Sequence, residues 1–305
     1  MKKISASLKE NTLELKKILH VDKNFDLIYR EQKLGQKEAG FFFIDGFIKD
    51  TIMERLLKSF SDIKDGDVPE SAREFSDKFI PYVEVDLLDD VEDITTAVLS
   101  GVACYFVDGY KECMAIDCRT YPMRSVDEPW KDRVLRGSRD GFVETVVSNV
   151  ALIRRRIRDP RMCVEILQAG LKSRTDISVA YIEGVADMKL VRKIKNKISD
   201  IDVDALSMNI ESLAEAILEG PYINPFPKFK YTERPDTAAA AILDGNIVLL
   251  VDNSPAVIIV PASIFDVMEE ADDFYFPPLV GNYIRISRFI MSVLTLILTP
   301  MWMAL

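Results

Sequence analysis

A chain of 305 residues, 48% hydrophobic and 29% charged, is long enough for two domains and too apolar for extended disorder. Its formal net charge of −10 argues against nucleic acid as a main partner, because no broad basic domain offsets the acidic excess. Four cysteines without a dense framework (Cys104, Cys113, Cys118, Cys163), and a start with no apolar secretory core, point to reduced thiols in a cytosolic compartment.

Met1–Asn24 carries Leu8, Leu15, Ile18 and Leu19 among six lysines. This spacing predicts a short amphipathic arm against a partner or lipid, with a frayed, solvated terminus as the alternative. A first α/β subdomain is expected over residues 25–120. It opens with strands at Phe25–Arg30 and Phe41–Ile44, the second closed by Asp45-Gly46, and a helix at Lys49–Phe60. After the acidic, turn-rich Ser61–Glu70 come a helix at Ser71–Phe79, a strand at Tyr82–Leu87 and a helix at Val91–Leu99. A hairpin of Val102–Val107 and Cys113–Cys118 about Asp108-Gly109 completes the set. Cys113 and Cys118 lie an odd number of positions apart, which sends them to opposite strand faces as one core and one surface thiol and disfavours a shared metal.

Residues 121–160 form a linker, Tyr121–Lys131 with Pro122 and Pro129, and then the best-punctuated helix of the chain, Arg136–Pro160. Ser138 or Asp140 is placed to cap it, Asp140 and Glu144 put acid in its first turn, four arginines fill its end, and Asp159-Pro160 stops it. Phe142, Val146, Val150, Ile153 and Ile157 recur at helical spacing and form one buried stripe. At 100° per residue from Phe142, Arg154, Arg155 and Arg156 point to about 120°, 220° and 320°, a fan and not a basic stripe. Arg154 stands at the edge of the apolar arc, where it is expected to meet an acid of a neighbouring domain or subunit; the others can cover the last carbonyls of a solvated helix end. The helix is therefore expected as a hub between two domains.

The second subdomain, residues 161–270, repeats the first. Strands at Cys163–Leu167 and Ile177–Ile182, the latter followed by Glu183-Gly184, precede helices at Met188–Ile198 and Ile210–Leu218. Gly220–Lys230, with Pro221, Pro225 and Pro227 among aromatics, reads as extended. A helix at Pro235–Leu243, with proline in its first turn, leads to a hairpin of Ile247–Val251 and Ala256–Val260. Ile44-Asp45-Gly46 lies 138 residues before Ile182-Glu183-Gly184, and Ala97, Leu99, Gly101, Val107 and Asp108 recur 144 residues on as Ala241, Leu243, Gly245, Val251 and Asp252. The fold class expected is α/β of α+β type with mixed sheets, as two small tandem subdomains of duplicated pattern.

No dinucleotide, Walker A, nucleophile-elbow, H-E-x-x-H or C-x-x-C motif occurs, and His20 is the single histidine. The sequence thus points to a protein that is not an enzyme, with no catalytic residue, metal or cofactor. Asp89, Asp90, Glu92 and Asp93 read as a helix start and not as a calcium loop. From Phe289 to Leu305 run seventeen uncharged, mostly apolar residues, close to the roughly 20 a membrane span needs. Two readings stay open for residues 271–305, a buried terminal helix or the start of a transmembrane helix. Arg285 and Arg288 before the run would hold the preceding domains on the cytoplasmic side.

The blocks RGSRDGFVETVVSNVALIRRRI, TDISVAYIEGVAD, YTERPDTAAAAILDGNIVLLVDNSPAVIIVP and EADDFYFPP, in this order, resemble signatures of the A-subunit family of bacterial spore germinant receptors. The resemblance covers roughly Phe25 to Leu305. It implies a cytosolic region of two α/β subdomains ahead of a multi-pass domain in the spore inner membrane. It further implies homo-oligomers of pentameric ion-channel type, other membrane subunits as partners, and a role in germination without enzyme activity. On that basis Arg136, Arg139, Glu144, Asn149, Arg154, Arg155, Arg156, Glu233, Arg234 and Asp236 are candidate interface residues in a structural or gating module. The rival reading is a nutrient sensor, with ligand held between the subdomains by Tyr222, Phe226, Phe229 and Tyr231.

Overall fold

In a computed structural model the chain is described over residues 2–64, 66–80, 84–120, 140–204, 210–217, 228–263 and 277–304. The first repeat runs α1 (Leu8–Ile18), β1 (Leu27–Leu34), β2 (Lys37–Ile44), α2 (Asp50–Ser61), α3 (Ala72–Phe79), β3 (Val85–Leu88), α4 (Val91–Leu99), β4 (Ala103–Val107) and β5 (Cys113–Ile116). The second runs α5 (Val146–Arg154), β6 (Met162–Ala169), β7 (Thr175–Ile182), α6 (Met188–Ser199), α7 (Ile210–Ile217), β8 (Lys230–Thr232), α8 (Pro235–Leu243), β9 (Ile247–Val251) and β10 (Val257–Val260). A last helix, α9, spans Pro278–Ala304.

Each repeat holds one five-stranded sheet, in the order β1-β2-β4-β5-β3 and β6-β7-β9-β10-β8, and the two orders are the same permutation. All pairings within them are antiparallel, where mixed sheets were expected. Helices cover both faces. Leu8, Leu15, Ile94 and Val98 of α1 and α4 pack on one face of the first sheet with Phe42, Cys104 and Phe106. Leu56, Phe60 and Phe75 of α2 and α3 pack on the other with Phe41, Tyr105 and Met114. The second sheet repeats this, with α6 and α7 on one face and α5 and α8 on the other. Burial on both faces explains why β4, β5, β9 and β10 are apolar at successive positions and do not alternate. Cys113 and Cys118 do lie in the clusters on opposite faces, but neither is a surface thiol; all four cysteines are buried.

Two expectations about helices need correction. The N-terminal stretch is no free arm: Leu8, Leu15 and Leu19 are buried in the first core, 5%, 1% and 0% exposed. The central helix is far shorter than Arg136–Pro160. It begins at Val146, with Thr145 before it, and Arg155 already sits at its C-terminal boundary. Asp140 and Glu144 precede the helix, because the backbone there is engaged elsewhere: Phe142 N–H donates to Glu233 C=O at 2.8 Å and Glu144 C=O accepts from Asn253 N–H at 2.7 Å. The apolar stripe is nonetheless intact, since Phe142, Val146, Val150, Ile153 and Ile157 share one cluster although its ends are not helical. Nor is α5 a connector standing outside the domains. It leads the second repeat as α1 leads the first, so both repeats begin before residues 25 and 161. The linker at Tyr121–Lys131 and most of Gly220–Lys230 lie outside the described residues. The short strand β8 went unanticipated; three residues carry no periodicity.

Along α9, Leu279–Ala304 is long and apolar enough to cross a membrane, with mean hydropathy 1.5 over its most apolar window and 0% of that window buried. This stretch of the helix is therefore not packed into the core of the described residues.

Candidate functional site: the joint between the repeats

The two repeats meet where the start of β1 and the β2–α2 turn of the first lie against α5 and β6 of the second. Arg154, in the last turn of α5, has no exposed side-chain surface, and Asp26 just before β1 has 1%. The guanidinium donates twice to the Asp26 carboxylate, Nε at 3.0 Å and Nη2 at 2.9 Å. It also donates to Asn24 Oδ1 at 3.0 Å and to the Met162 carbonyl at 3.1 Å. Asn24 in turn accepts from Val164 N–H at 2.6 Å and donates to the Leu19 carbonyl at 2.9 Å. Phe25 N–H donates to Val164 C=O at 3.1 Å, which adds a parallel bridge between Asn24 and β6.

Withdrawing both charges from water costs several kcal/mol per ion, and the paired hydrogen bonds return it only because the fork geometry matches a carboxylate. The pair therefore fixes how the repeats are oriented more than it adds net stability. Packing follows the same line. Gly46, at φ +81°, lets the turn lie so close to α5 that a Cβ there would be 3.3 Å from both Ala151 Cβ and Val147 Cγ1. Ala151 joins the first repeat's core, while Phe25 packs against the second's.

At the rim, Lys23 Nζ donates to both Glu183 oxygens at 2.7 and 2.6 Å, and His20 Nδ1 lies 3.6 Å from the same carboxylate. This bonding holds the Glu183 carboxyl below its ordinary value and raises Lys23 above its own. Burial, with Glu183 next, pushes the Cys163 thiol up to about 11, so it is protonated at neutral pH.

Arg136 and Arg139 lie outside the described residues. Asn149 clamps Val143, and the Glu144 and Glu233 carbonyls tie the 140–145 strap to the second repeat. Arg155 is exposed at the end of α5. Arg156 donates to the Leu152 carbonyl at 2.8 Å and pairs with Asp140. Arg234, 1% exposed at the start of α8, forks onto Asp236 at 3.0 and 2.5 Å. Tyr222 and Phe226 are outside the described residues; Phe229 and Tyr231 pack against the core under α6 and α7, so these two do not line a cleft between the repeats. Asp26 and Asn24 were missed from sequence. Their signal was an acid and an amide flanking Phe25 at the entrance to β1.

Among the described residues, no group of three or more His, Cys, Asp and Glu side chains is placed to hold a metal. An open groove of about 590 Å³ does occur on the first repeat, between α1 and β1, lined by Lys9, Leu13, Lys16 and Tyr29 among others.

Comparison with known proteins agrees with this architecture. Residues 14–305 match the family described as Bacillus/Clostridium GerA spore germination protein. Stage V sporulation protein AF of Bacillus subtilis is 35% identical over 280 residues, covering 92% of this chain and 57% of that protein. Spore germination protein KA of the same organism is 29% identical, covering 99% of this chain and 55% of that protein. The chain thus spans a little over half the length of these curated relatives. Among solved structures, the N-terminal domain of the A subunit of the Bacillus megaterium spore germinant receptor GerK3 superposes with a TM-score of 0.64 at 26% identity, covering 86% of this chain and 97% of that domain.

Proposed function

The chain belongs to the GerA spore germination family, and from that premise we propose that its two repeats are the cytosolic gating module of an oligomeric ion channel in the spore inner membrane. The observation that carries the reading is the joint. A gating part has to move as a unit, and the buried Arg154–Asp26 pair ties two separately cored repeats into one body. That body stands ahead of α9, whose apolar surface is exposed. At 1.5 Å per residue a 27-residue helix reaches about 40 Å, enough for a hydrocarbon core of about 30 Å. Arg285 and Arg288 near its start favour a cytoplasmic side for the repeats. Other membrane subunits of a germination complex are the expected partners, and no catalytic role is assigned.

The test is ion release from germinating spores carrying the full-length protein with Asp26→Asn or Arg154→Met. Slowed release at wild-type protein level supports the reading; unchanged release removes the joint from gating. The sensor reading has less support, since Arg154, Asp26 and Asn24 fill the meeting surface a ligand would need. A thermal-shift screen with amino acids and sugars decides between them, because occupancy at 100 times Kd adds about 2.7 kcal/mol.

A further inference from the structure

The joint shows what covers the α5–β6 edge of the second repeat, and the duplication shows where the same edge lies in the first. Helix positions correspond at an interval of 138, as Asn11 and Asn149 show by making the same clasp. Positions at the start of β1 correspond to those of β6 at 135, and those at the end of β2 to β7 at 138, fixed by the pairings Leu27↔Ile44 and Met162↔Ile182. The covered residues Val147, Ala151, Arg154 and Val164 therefore map onto Lys9, Leu13, Lys16 and Tyr29. All four line the open groove of about 590 Å³. What is filled in the second repeat is open in the first.

The covering side has its equivalents too. Gly46 maps onto Gly184, whose φ of +85° matches +81°, but a Cβ at Gly184 would meet nothing within 4 Å. Its neighbour Val185 is 45% exposed, and Leu13 across the proposed contact is 75% exposed. Lys23, Asn24 and Asp26 map onto Arg158, Asp159 and Arg161. One chain thus carries a vacant copy of each half of its own joint.

We infer that a second copy of this chain docks head to tail: the Arg158–Arg161 and Gly184–Val185 surface of one copy seats in the α1–β1 groove of the next. This rests on the oligomeric reading above and names its surface. The charges support a second copy as the occupant. The Lys23–Glu183 pair of the joint maps onto Arg158 of one copy and Asp45 of the next, both exposed and again of opposite sign. Arg154–Asp26 maps onto Lys16 and Arg161, which repel. However, Asp159, in the place of Asn24 and paired with Arg161 at 2.7 Å, supplies the acid for Lys16. Exposed charges and a few apolar side chains suit a contact between folded copies, whereas the intrachain joint is a core. Because the two patches differ, such contacts close into a ring or continue as a filament.

The test uses the full-length protein in membranes. Asp45→Arg and Arg158→Asp should each weaken self-association by roughly tenfold through like-charge contact, and the charge-swapped double variant should restore it. Leu13→Cys with Val185→Cys should give oxidised interchain dimers that neither single variant gives; the native cysteines are all buried and add little background. If the wild type is oligomeric but the charge variants assemble normally and no cross-link forms, the head-to-tail contact is wrong and the oligomeric reading stands. If the wild type is monomeric, both fall.

Discussion

Asn11 and Asn149 hold the same post in the two repeats. Each side-chain amide accepts from the backbone N–H of the residue six positions earlier and donates to that residue's carbonyl, at 2.8 and 2.7 Å for Ser5 and at 2.7 and 2.5 Å for Val143. The bonds around them are duplicated as well. Leu8 N–H donates to Asp108 at 2.9 Å and Val146 N–H to Asp252 at 3.1 Å, so a distant hairpin aspartate caps each helix. Ser7 and Thr145, in the usual capping position, make no side-chain cap bond. A strap, a clasp and a remote cap thus recur as one unit, and they define where α1 and α5 begin.

Asn149→Ala should destabilise the chain by about 1–2 kcal/mol, because it strands the N–H and C=O of the half-buried Val143. Asn11→Ala should cost a similar amount. Asn149→Asp keeps the acceptor but faces a carbonyl with a carboxylate, and it should rescue little. Urea unfolding of the chain in detergent reads each difference. A loss below about 0.5 kcal/mol for both alanine variants would mean that water replaces the clasp without penalty.

Breaking the central pair is predicted to be worse than removing it. Asp26→Asn or Arg154→Met leaves one buried partner uncompensated and should cost about 3–5 kcal/mol, whereas Asp26→Leu with Arg154→Met should recover a large part of that loss. The double-mutant cycle measures the coupling. Additive single losses would show that the two side chains act independently.

The sequence made this joint half visible. Element positions came out within a few residues because apolar periodicity and Asp-Gly turns are local, and Ile44-Asp45-Gly46 against Ile182-Glu183-Gly184 exposed the repeat. The partner of Arg154 was hidden, since Asp26 lies 128 positions away and no local pattern marks the pairing. The reach of α5 was overestimated for a related reason. Capping residues and acids upstream favour a helix, but the backbone of 142–146 bonds to Glu233, Asn253 and Asp252 instead. The interval that relates Ile44 to Ile182 also places Asn11 on Asn149, so α5 could have been read as a second α1.

Gly46 and Gly184 make an internal control for packing at the joint. Both adopt φ values where an L side chain is strained, +81° and +85°, so alanine carries roughly the same backbone penalty of about 1 kcal/mol at either site. Only at Gly46 does the new Cβ press on α5, 3.3 Å from Ala151 and Val147. Gly46→Ala should therefore lower stability by more than Gly184→Ala in monomeric, detergent-dispersed protein. Equal losses would show that the turn does not bear on α5 in solution.

The rim pair gives the joint a defined pH dependence. Lys23 bonding holds Glu183 below its ordinary value of 4.5, so its contribution is present above that value and is lost as pH falls through the lower folded value. Lys23 is raised above 10.5 by the same bond; its contribution is complete below 10.5 and disappears as pH climbs through the folded value. The pair is accordingly intact across the neutral range and opens at both extremes. With side chains 40% and 33% exposed, it should be worth no more than about 1 kcal/mol. Asp117 and Asp159 are held low by Arg119 and Arg161, so acid unfolding of the wild type alone is not diagnostic. The informative quantity is the stability difference between wild type and Glu183→Gln, measured by urea unfolding from about pH 7 down to about pH 3. It should shrink toward zero as the glutamate protonates. A difference that stays level across that range would mean Glu183 acts through packing and not through its charge.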